Sequence, residues 1–168
     1  PIQNTSTTIY GTQLSDQNTF GRTCTSWGDP HFITFDGLRY DFYGSGDFYL
    51  VRSTQGGDFV VQTRQQPCGT ASCNFAVAIK YQSSVFMIYL DPVTLIPRTY
   101  GNQELQQLNG FSFSMEGKSY TLIFPNYFKV VIKAWEWSYG WYFNIDVIIP
   151  TSYVGRVRGL CGTYDNNI

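Results

Sequence analysis

The chain has 168 residues and a formal net charge of −1, so one domain of moderate size is expected. Its 11 lysines and arginines are scattered, which excludes the basic stripe that a nucleic-acid-binding surface needs. No apolar run reaches the roughly 18 residues of a spanning helix, so we expect no membrane span in this chain. Aromatic residues make up 18% of the chain and charged residues 14%, a balance that favours β-strands.

The first segment, residues 1–22, is rich in Thr, Ser, Asn and Gln and shows almost no apolar periodicity. We interpret it as a polar linker or an extended arm. Within it, Asn4 opens the tripeptide Asn-Thr-Ser, which is a glycosylation sequon if the protein is secreted. Residues 23–168 form the predicted β domain.

From residue 31 onward the sequence consists of short β-type runs, each ended by Gly, Pro, Asn or Ser. The predicted strands, in chain order, cover residues 31–35, 40–43, 47–52, 58–64, 75–80, 85–90, 111–115, 120–124, 127–133 and 141–149. In the last run, alternate residues starting at Trp141 fall on one face. Asn109-Gly110 predicts a hairpin turn between residues 105–108 and 111–115. This spacing indicates an all-β, antiparallel sandwich or barrel-like module with little helix.

Four cysteines are the candidates for covalent closure of this module. Cys68 and Cys73 could form half of a zinc site, but a second such pair is missing and His31 is the only histidine. We therefore favour two disulfides, a short bridge between Cys68 and Cys73 and a long closure between Cys24 and Cys161. Disulfides imply an oxidising compartment, so we expect a piece of a larger protein that is secreted or held at the cell surface.

Two motifs near opposite ends of the β region, together with several residues between them, carry a family likeness. They are Cys24, Trp27-Gly-Asp-Pro-His31, Thr34-Phe-Asp-Gly37, Tyr40, Phe42, Gly44, Tyr49-Leu-Val51, Gly159-Leu-Cys-Gly162 and Asp165. With these residues the chain resembles the von Willebrand factor type D domain. The resemblance makes Trp27, Asp29 and His31 structural signature residues. It implies an extracellular structural or adhesive module without enzymatic activity, in the style of mucin-like and cell-surface proteins.

Cysteines that many members of this family carry are missing here. Arg158 stands where many members have the first cysteine of a CxxC pair, and its usual partner is absent around residues 53–57. Ser45-Gly46-Asp47 replaces a third frequent cysteine. The resemblance therefore gives no support for disulfide-exchange activity.

The resemblance also implies a calcium site. Members that bind calcium use the aspartate matching Asp36 and a loop directly after the last cysteine. Here Thr163 and Asp165 occupy that loop, and Asn167 offers a backbone carbonyl. Because Ca²⁺ takes six to eight oxygen ligands, these four residues are predicted as a partial ligand set. The alternative is that Asp36 is only a turn residue before Gly37.

Asp29 and His31 are the residues that could serve acid–base catalysis. A nucleophile at a suitable spacing is not identifiable. We therefore interpret His31 as a packed or hydrogen-bonded structural residue, and Asp29 as a brace for the turn before Pro30, which holds its predecessor extended.

The hairpin 135–142 holds an aromatic cluster formed by Trp135, Trp137, Tyr139 and Trp141. Rings beside a carboxylate are typical of sugar-binding surfaces, so a glycan- or protein-binding hairpin is the alternative function. Against it stands a hairpin whose alternate aromatics enter the core while the others contact a neighbouring domain. The predicted partners are other extracellular domains or copies of this chain, with a glycan as the alternative.

Overall fold

Two antiparallel β-sheets face each other in the computed structural model of the chain, which describes residues 21–56, 59–138 and 140–167. Over these residues one sheet has seven strands and the other six, and they stay separate rather than closing into a barrel. The predicted antiparallel all-β sandwich is therefore confirmed. The predicted arm up to residue 20, with Asn4, and Tyr139 of the hairpin lie outside the described residues.

The seven-stranded sheet joins the first three strands of the domain to strands from its second half. Its strands are β1 (Arg22–Trp27), β2 (His31–Ile33), β3 (Arg39–Asp41), β9 (Ser112–Glu116), β10 (Ser119–Ile123), β11 (Lys129–Trp137) and β12 (Gly140–Ile149). Their order across the sheet is β3-β2-β1-β12-β11-β10-β9. Strands β1 and β12 pair at its centre, from Arg22 opposite Ile149 to Ser26 opposite Ile145. Backbone pairing alone therefore brings distant parts of the chain together.

The six-stranded sheet is built mostly from consecutive strands. They are β4 (Gly46–Ser53), β5 (Phe59–Cys68), β6 (Ala71–Tyr81), β7 (Ser84–Leu90), β8 (Pro97–Gly101) and β13 (Val157–Arg158). The order is β13-β4-β5-β6-β7-β8, so β13 returns from the end of the domain to pair with β4. Antiparallel neighbours need only short connections, which explains the run from β4 to β8.

The sequence pattern does not predict β1, β8 or β13. The buried residues of β1 are Cys24 and Ser26, so large apolar side chains do not alternate along this strand. Strand β8 lies at the edge of its sheet with residues 98–101 exposed, so it has no buried face to leave a pattern. Strand β13 has only two residues.

The predicted hairpin at Asn109-Gly110 is wrong. The residues before it form the helix α1 (Gln103–Gln107), with Leu105 as its buried residue. The side-chain oxygen of Asn102 accepts the N–H of Leu105 at 3.1 Å and so caps the helix. Strand β9 instead turns into β10 through Gly117-Lys118, where Gly117 has a φ of +56°.

The other helical segments are single 3-10 turns at Pro125–Tyr127 and Thr151–Tyr153. No helix in the described part of the chain is both long and apolar enough to cross a membrane.

The core lies between the two sheets and is strongly aromatic. As predicted from the alternation in β12, Phe143, Ile145 and Val147 are at most 1% exposed, whereas Trp141 is only half-buried. Phe59 of β5 stacks on the ring of Phe128 with 4.4 Å between their centroids. Since each buried aromatic ring removes roughly 150–250 Å² from water, such pairs explain how an aromatic-rich chain fills its core.

A buried polar cluster joins the two sheets at one point. From Asn74 in β6, Nδ2 donates to Ser26 Oγ at 3.0 Å and to the Phe143 carbonyl at 3.1 Å, both in the other sheet. The Oδ1 atom of Asn74 accepts from Thr63 Oγ1 at 2.8 Å and from Gln65 Nε2 at 3.3 Å. Because Asn74 is fully buried, these bonds specify how the two sheets sit against each other.

Candidate functional site: the junction around Asp36

The loop after β13 lies against the loop after β2, and a disulfide holds the two regions together. Cys24 in β1 is bonded to Cys161, with Cα atoms 5.6 Å apart and a sequence separation of 137. The N–H of Phe35 donates to the Cys161 carbonyl at 3.1 Å, and the N–H of Cys161 donates to the Leu50 carbonyl of β4 at 2.9 Å. The long closure favoured by the sequence is therefore present in the structure and connects both sheets.

Gly159 shows why the closing motif begins with a glycine. Its φ is +146°, and a Cβ atom at this position would lie 2.4 Å from the carbonyl oxygen of Leu50. The next residue, Leu160, donates its N–H to the Tyr49 carbonyl at 2.9 Å. Only glycine allows the backbone to lie this closely on β4.

The carboxylate of Asp36 is the centre of the junction. Its Oδ2 accepts the N–H of Asp165 at 3.1 Å, and its Oδ1 accepts the N–H of Asn166 at 2.8 Å. The Asp36 side chain is 4% exposed, so the accepting oxygens are buried, while the donor residues Asp165 and Asn166 lie at the surface. Asp36 thus ties the loop after β2 to the loop after Cys161, and it is more than the isolated turn residue of the alternative interpretation.

Arg22 completes this junction from the outside. Its Nη1 lies 3.3 Å from Asp36 Oδ1 and 3.3 Å from the Phe35 carbonyl oxygen. The guanidinium carbon is 5.7 Å from the ring centroid of Tyr164, within cation–π range. The predicted polar arm includes Arg22, but in the structure this residue belongs to β1. Its partner lies 14 positions away, and no local pattern connects the two.

The predicted calcium ligands after Cys161 contact one another in a tight loop. Asp165 Oδ1 accepts the N–H of Asn167 at 3.0 Å. This hydrogen bond, followed by that from the Thr163 hydroxyl, lowers the pKa of the Asp165 carboxyl group. Asp36 reaches this loop through the backbone N–H groups, so the structure brings all four predicted residues into one region.

The described residues give limited support for the predicted calcium site. They contain no group of three His, Cys, Asp or Glu side chains placed to hold a metal ion. The oxygens of Asp36 already accept two backbone N–H groups and the Arg22 guanidinium, and a cation would compete with these donors. The two carboxylates, the threonine hydroxyl and the Asn167 carbonyl reach six oxygens only if both carboxylates bind calcium through both oxygens, and the ion takes six to eight. Calcium binding therefore stays a prediction of the family resemblance.

His31 is held between two carboxylates at the edge of the seven-stranded sheet. Its Nδ1 lies 2.6 Å from Asp41 Oδ1, and its Nε2 lies 3.0 Å from Asp29 Oδ1. The hydroxyl of Tyr43 donates to Asp41 Oδ2 at 3.1 Å, and the Trp27 ring lies 5.4 Å from the imidazole. The hydrogen bond with Asp41 is the main cause that raises the pKa of His31.

Both ring nitrogens of His31 can donate to these carboxylates only when the imidazole is protonated. The cluster connects the turn before β2, the start of β2 and the end of β3. A nearby hydrogen bond from the N–H of Gly28 to Asn144 Oδ1, at 2.9 Å, ties the same turn to β12. The arrangement is that of a structural brace.

A second disulfide closes the β5–β6 hairpin. Cys68 and Cys73 have Cα atoms 5.7 Å apart and are separated by 5 positions, as the sequence analysis favoured. At one edge of the same sheet, β13 pairs with β4, which places Arg158 opposite Arg52. Val157 pairs with Ser53, so two of the three places where family cysteines are missing, Arg158 and residues 53–57, are neighbours in space.

The aromatic hairpin does not present a continuous row of exposed rings over its described residues. Trp135 is 51% exposed, whereas Trp137 and Trp141 are half-buried. Trp137 makes an edge-to-face contact with Tyr142 at 6.2 Å, and Lys118 Nζ lies 4.3 Å from the ring centroid of Trp141. These contacts support the alternative in which part of the cluster packs within the domain.

Several proteins are similar in sequence to this chain over most of its length. The chain is 31% identical over 163 residues to the IgGFc-binding protein of Homo sapiens, an alignment that covers 86% of the chain and 3% of that protein. It is 32% identical over 154 residues to Mucin-5B of Homo sapiens, and this alignment covers 86% of the chain and 2% of Mucin-5B. It is 30% identical over 158 residues to SCO-spondin of Gallus gallus, and this alignment covers 92% of the chain and 3% of SCO-spondin. The chain therefore spans only a small part of these relatives.

The family model of the von Willebrand factor type D domain matches residues 24–168. The match starts at the first cysteine of the long disulfide and includes every loop that meets at Asp36. With mucins and SCO-spondin among its relatives and two disulfides in its structure, the chain is secreted or at the cell surface, as predicted. The chain belongs to the von Willebrand factor type D domain family.

Proposed function

We propose that the chain is a structural and adhesive module of a larger extracellular protein, which acts through surface contacts rather than through catalysis. The observation that carries this proposal is the junction at Asp36. Arg22 at the start of β1 and Asn166 near the last described residues both bond to this one carboxylate. The first and the last described parts of the domain therefore lie close together, which suits a rigid module within a long chain.

The His31 cluster supports a function without catalysis. A general base needs a nitrogen that is free to accept a proton, and both nitrogens of His31 are engaged by carboxylates. No serine or cysteine hydrogen bond to this imidazole occurs among the described residues. We therefore assign the cluster to stabilisation of the sheet edge.

The proposed partners are other extracellular domains or further copies of this chain. A second candidate is glycan binding at the aromatic hairpin, favoured by one observation. Exposed Trp135 borders a groove of about 440 Å³ that is also lined by charged residues, among them Glu116 and Lys133. A flat ring beside such polar groups is suited to a sugar face, although the neighbouring tryptophans are partly covered.

An adhesion assay tests the proposal. Beads coated with the full oxidised chain are compared with beads whose chain has been reduced and alkylated, on a layer of secreted extracellular matrix. The proposal predicts that only the oxidised chain makes beads adhere to the matrix or to each other. Adhesion by neither type of bead would contradict it. Loss of adhesion after glycosidase treatment of the matrix and in Trp135→Ala would favour the glycan alternative.

A further inference from the structure

We propose that strand β9 is a pairing edge for β9 of a second copy of this chain, so that two seven-stranded sheets join across a twofold axis. This inference rests on the proposed function, because it names one of the contacts through which the module would assemble. The surface consists of residues 112–116 and is called the β9 edge.

Among the described residues, no strand pairs with the outer side of the β9 edge. Strand β9 is the last strand of the seven-stranded sheet, and all five of its residues are exposed. Phe113 is 45% exposed and Met115 is 60% exposed. Their side chains point to the same side of the sheet as Leu122 of β10, which is fully buried. Two apolar side chains thus lie next to the core without being covered by it.

The register with β10 shows which backbone groups of β9 are available. Glu116 lies opposite Ser119 across a two-residue turn, and such a closing pair exchanges its N–H and C=O groups. Alternation then assigns Ser114 and Ser112 to bonded pairs as well. The N–H and C=O groups of Phe113 and Met115 consequently point away from the sheet. Another extended strand can bond to all four of these groups at once.

The other three edge strands formed by the described residues carry features that discourage such pairing. Natural sheets protect their edges with proline, with charged residues or by keeping the strand very short. Strand β8 begins with Pro97 followed by Arg98, and β3 has three residues of which two, Arg39 and Asp41, are charged. Strand β13 has two residues and ends with Arg158. By contrast, β9 has no proline or basic residue, and its single charge is at its end.

The sequence of β9 fits a second copy in the antiparallel direction. If the twofold axis passes beside Ser114, Phe113 of one copy lies opposite Met115 of the other, and each pair exchanges the free backbone groups. Aromatic and sulfur-containing side chains then pack together across the new contact. A parallel arrangement would place Glu116 beside its own copy, whereas the antiparallel one separates the two carboxylates to opposite ends of the pair.

Little rearrangement is needed to form this contact. The Phe113 ring already contacts Phe86 of β7, with 5.6 Å between ring centroids, and β9 is paired with β10 along its whole length. A strand that is held in its bound shape loses little conformational entropy when a partner adds to it.

Sedimentation equilibrium over a concentration series, combined with hydrogen exchange, tests the proposal on the full oxidised chain. The wild-type chain should form a concentration-dependent dimer, and the amides of Phe113 and Met115 should become protected as the dimer forms. Met115→Lys adds a charge to the open edge and should raise the dimer Kd by about tenfold or more. The matched control is Tyr100→Lys on β8, where the side chain is 53% exposed, and it should leave the Kd unchanged.

A wild-type chain that stays monomeric up to millimolar concentration would overturn the proposal. So would a dimer that survives Met115→Lys with its melting temperature intact, or a dimer in which the amides of Phe113 and Met115 exchange freely. In each of these cases the bead assay still reports on the proposed function. Beads that adhere to matrix while β9 does not pair refute this inference alone, and beads that never adhere refute the function itself.

Discussion

The Oδ1 atom of Asp36 accepts a hydrogen bond from the N–H of Asn166 at 2.8 Å, although the two residues are 130 positions apart. The bond crosses from the loop after β2 to the loop after Cys161, next to the disulfide between Cys24 and Cys161. Covalent closure, backbone pairing and a buried carboxylate therefore act at the same place. The rigidity of the module depends on this junction.

Replacing Asp36 with alanine should lower the free energy of unfolding by about 2–4 kcal/mol. The change removes two part-buried hydrogen bonds from the N–H groups of Asp165 and Asn166 to a buried, charged acceptor. Urea unfolding under non-reducing conditions measures the loss. The control is Asp47→Ala. It removes a shorter ion pair, 2.7 Å between Asp47 Oδ1 and Arg64 Nε, but both of these side chains are more than half exposed. It should cost less than about 1 kcal/mol. Equal losses in the two variants would contradict the account.

Asn74→Leu should destabilise the domain by about 2–3 kcal/mol, because it leaves Ser26 Oγ and the Phe143 carbonyl unpaired between the sheets. Chemical denaturation gives the difference directly. Asn109→Leu serves as a control, since Asn109 is exposed in a turn and should change stability by less than about 0.5 kcal/mol. A neutral Asn74→Leu would mean that the cluster does not hold the sheets together.

The pKa of His31 is raised above its ordinary value of 6.5, first by its hydrogen bond with Asp41. The folded chain therefore holds this proton more tightly than the unfolded chain does. Stability from the cluster is fully present below pH 6.5 and is lost as the pH rises through the folded pKa. The pKa of Asp41 is lowered by the same bond, so its contribution is lost instead as the pH falls through that lower pKa.

NMR titration of the single histidine measures this directly. The midpoint should lie above 6.5 in the wild-type chain, and Asp41→Asn should move it down more than Asp29→Asn does. A wild-type midpoint at or below 6.5, or an Asp41→Asn variant that titrates like the wild type, would show that the imidazole is not held between the two carboxylates.

Millimolar calcium should raise the melting temperature of this chain above its value in excess EDTA, and Asp36→Asn should abolish the rise. This expectation comes from the family resemblance, which makes Asp36 a calcium ligand. The cation would compete with protein donors, namely Arg22 and the N–H groups of Asp165 and Asn166, that bond to the same carboxylate. Thermal unfolding measures the difference, and equal melting temperatures in calcium and in EDTA would contradict the calcium prediction.

Much of the fold could be predicted from the sequence, because most strands have one face in the core. Strand β7 was predicted at residues 85–90 and spans Ser84–Leu90, since its buried and half-buried residues alternate strictly. The hairpin at Asn109-Gly110 failed for a physical reason. Leu105 could pack against the sheets from a helix capped by Asn102, and Gly117 supplied the turn that β9 needed. Turn propensity alone could not show that the hairpin turns at Gly117 rather than at Gly110.

The junction was only partly predictable. The cysteines and Asp36 lie in recognisable sequence motifs, so the Cys24–Cys161 closure and the position of Asp36 could be expected. Arg22 and Asn74 could not, because their partners are set by how distant strands meet. Asn74 contacts Ser26, which is 48 positions away, and Arg22 sits in a strand without an apolar pattern.

A disulfide map of the non-reduced chain by mass spectrometry tests the central claim most directly. The account predicts one peptide pair that joins Cys24 to Cys161 and a second that joins Cys68 to Cys73. Any map that links a cysteine of the first pair to one of the second would contradict it, because the Asp36 junction could not then form as described.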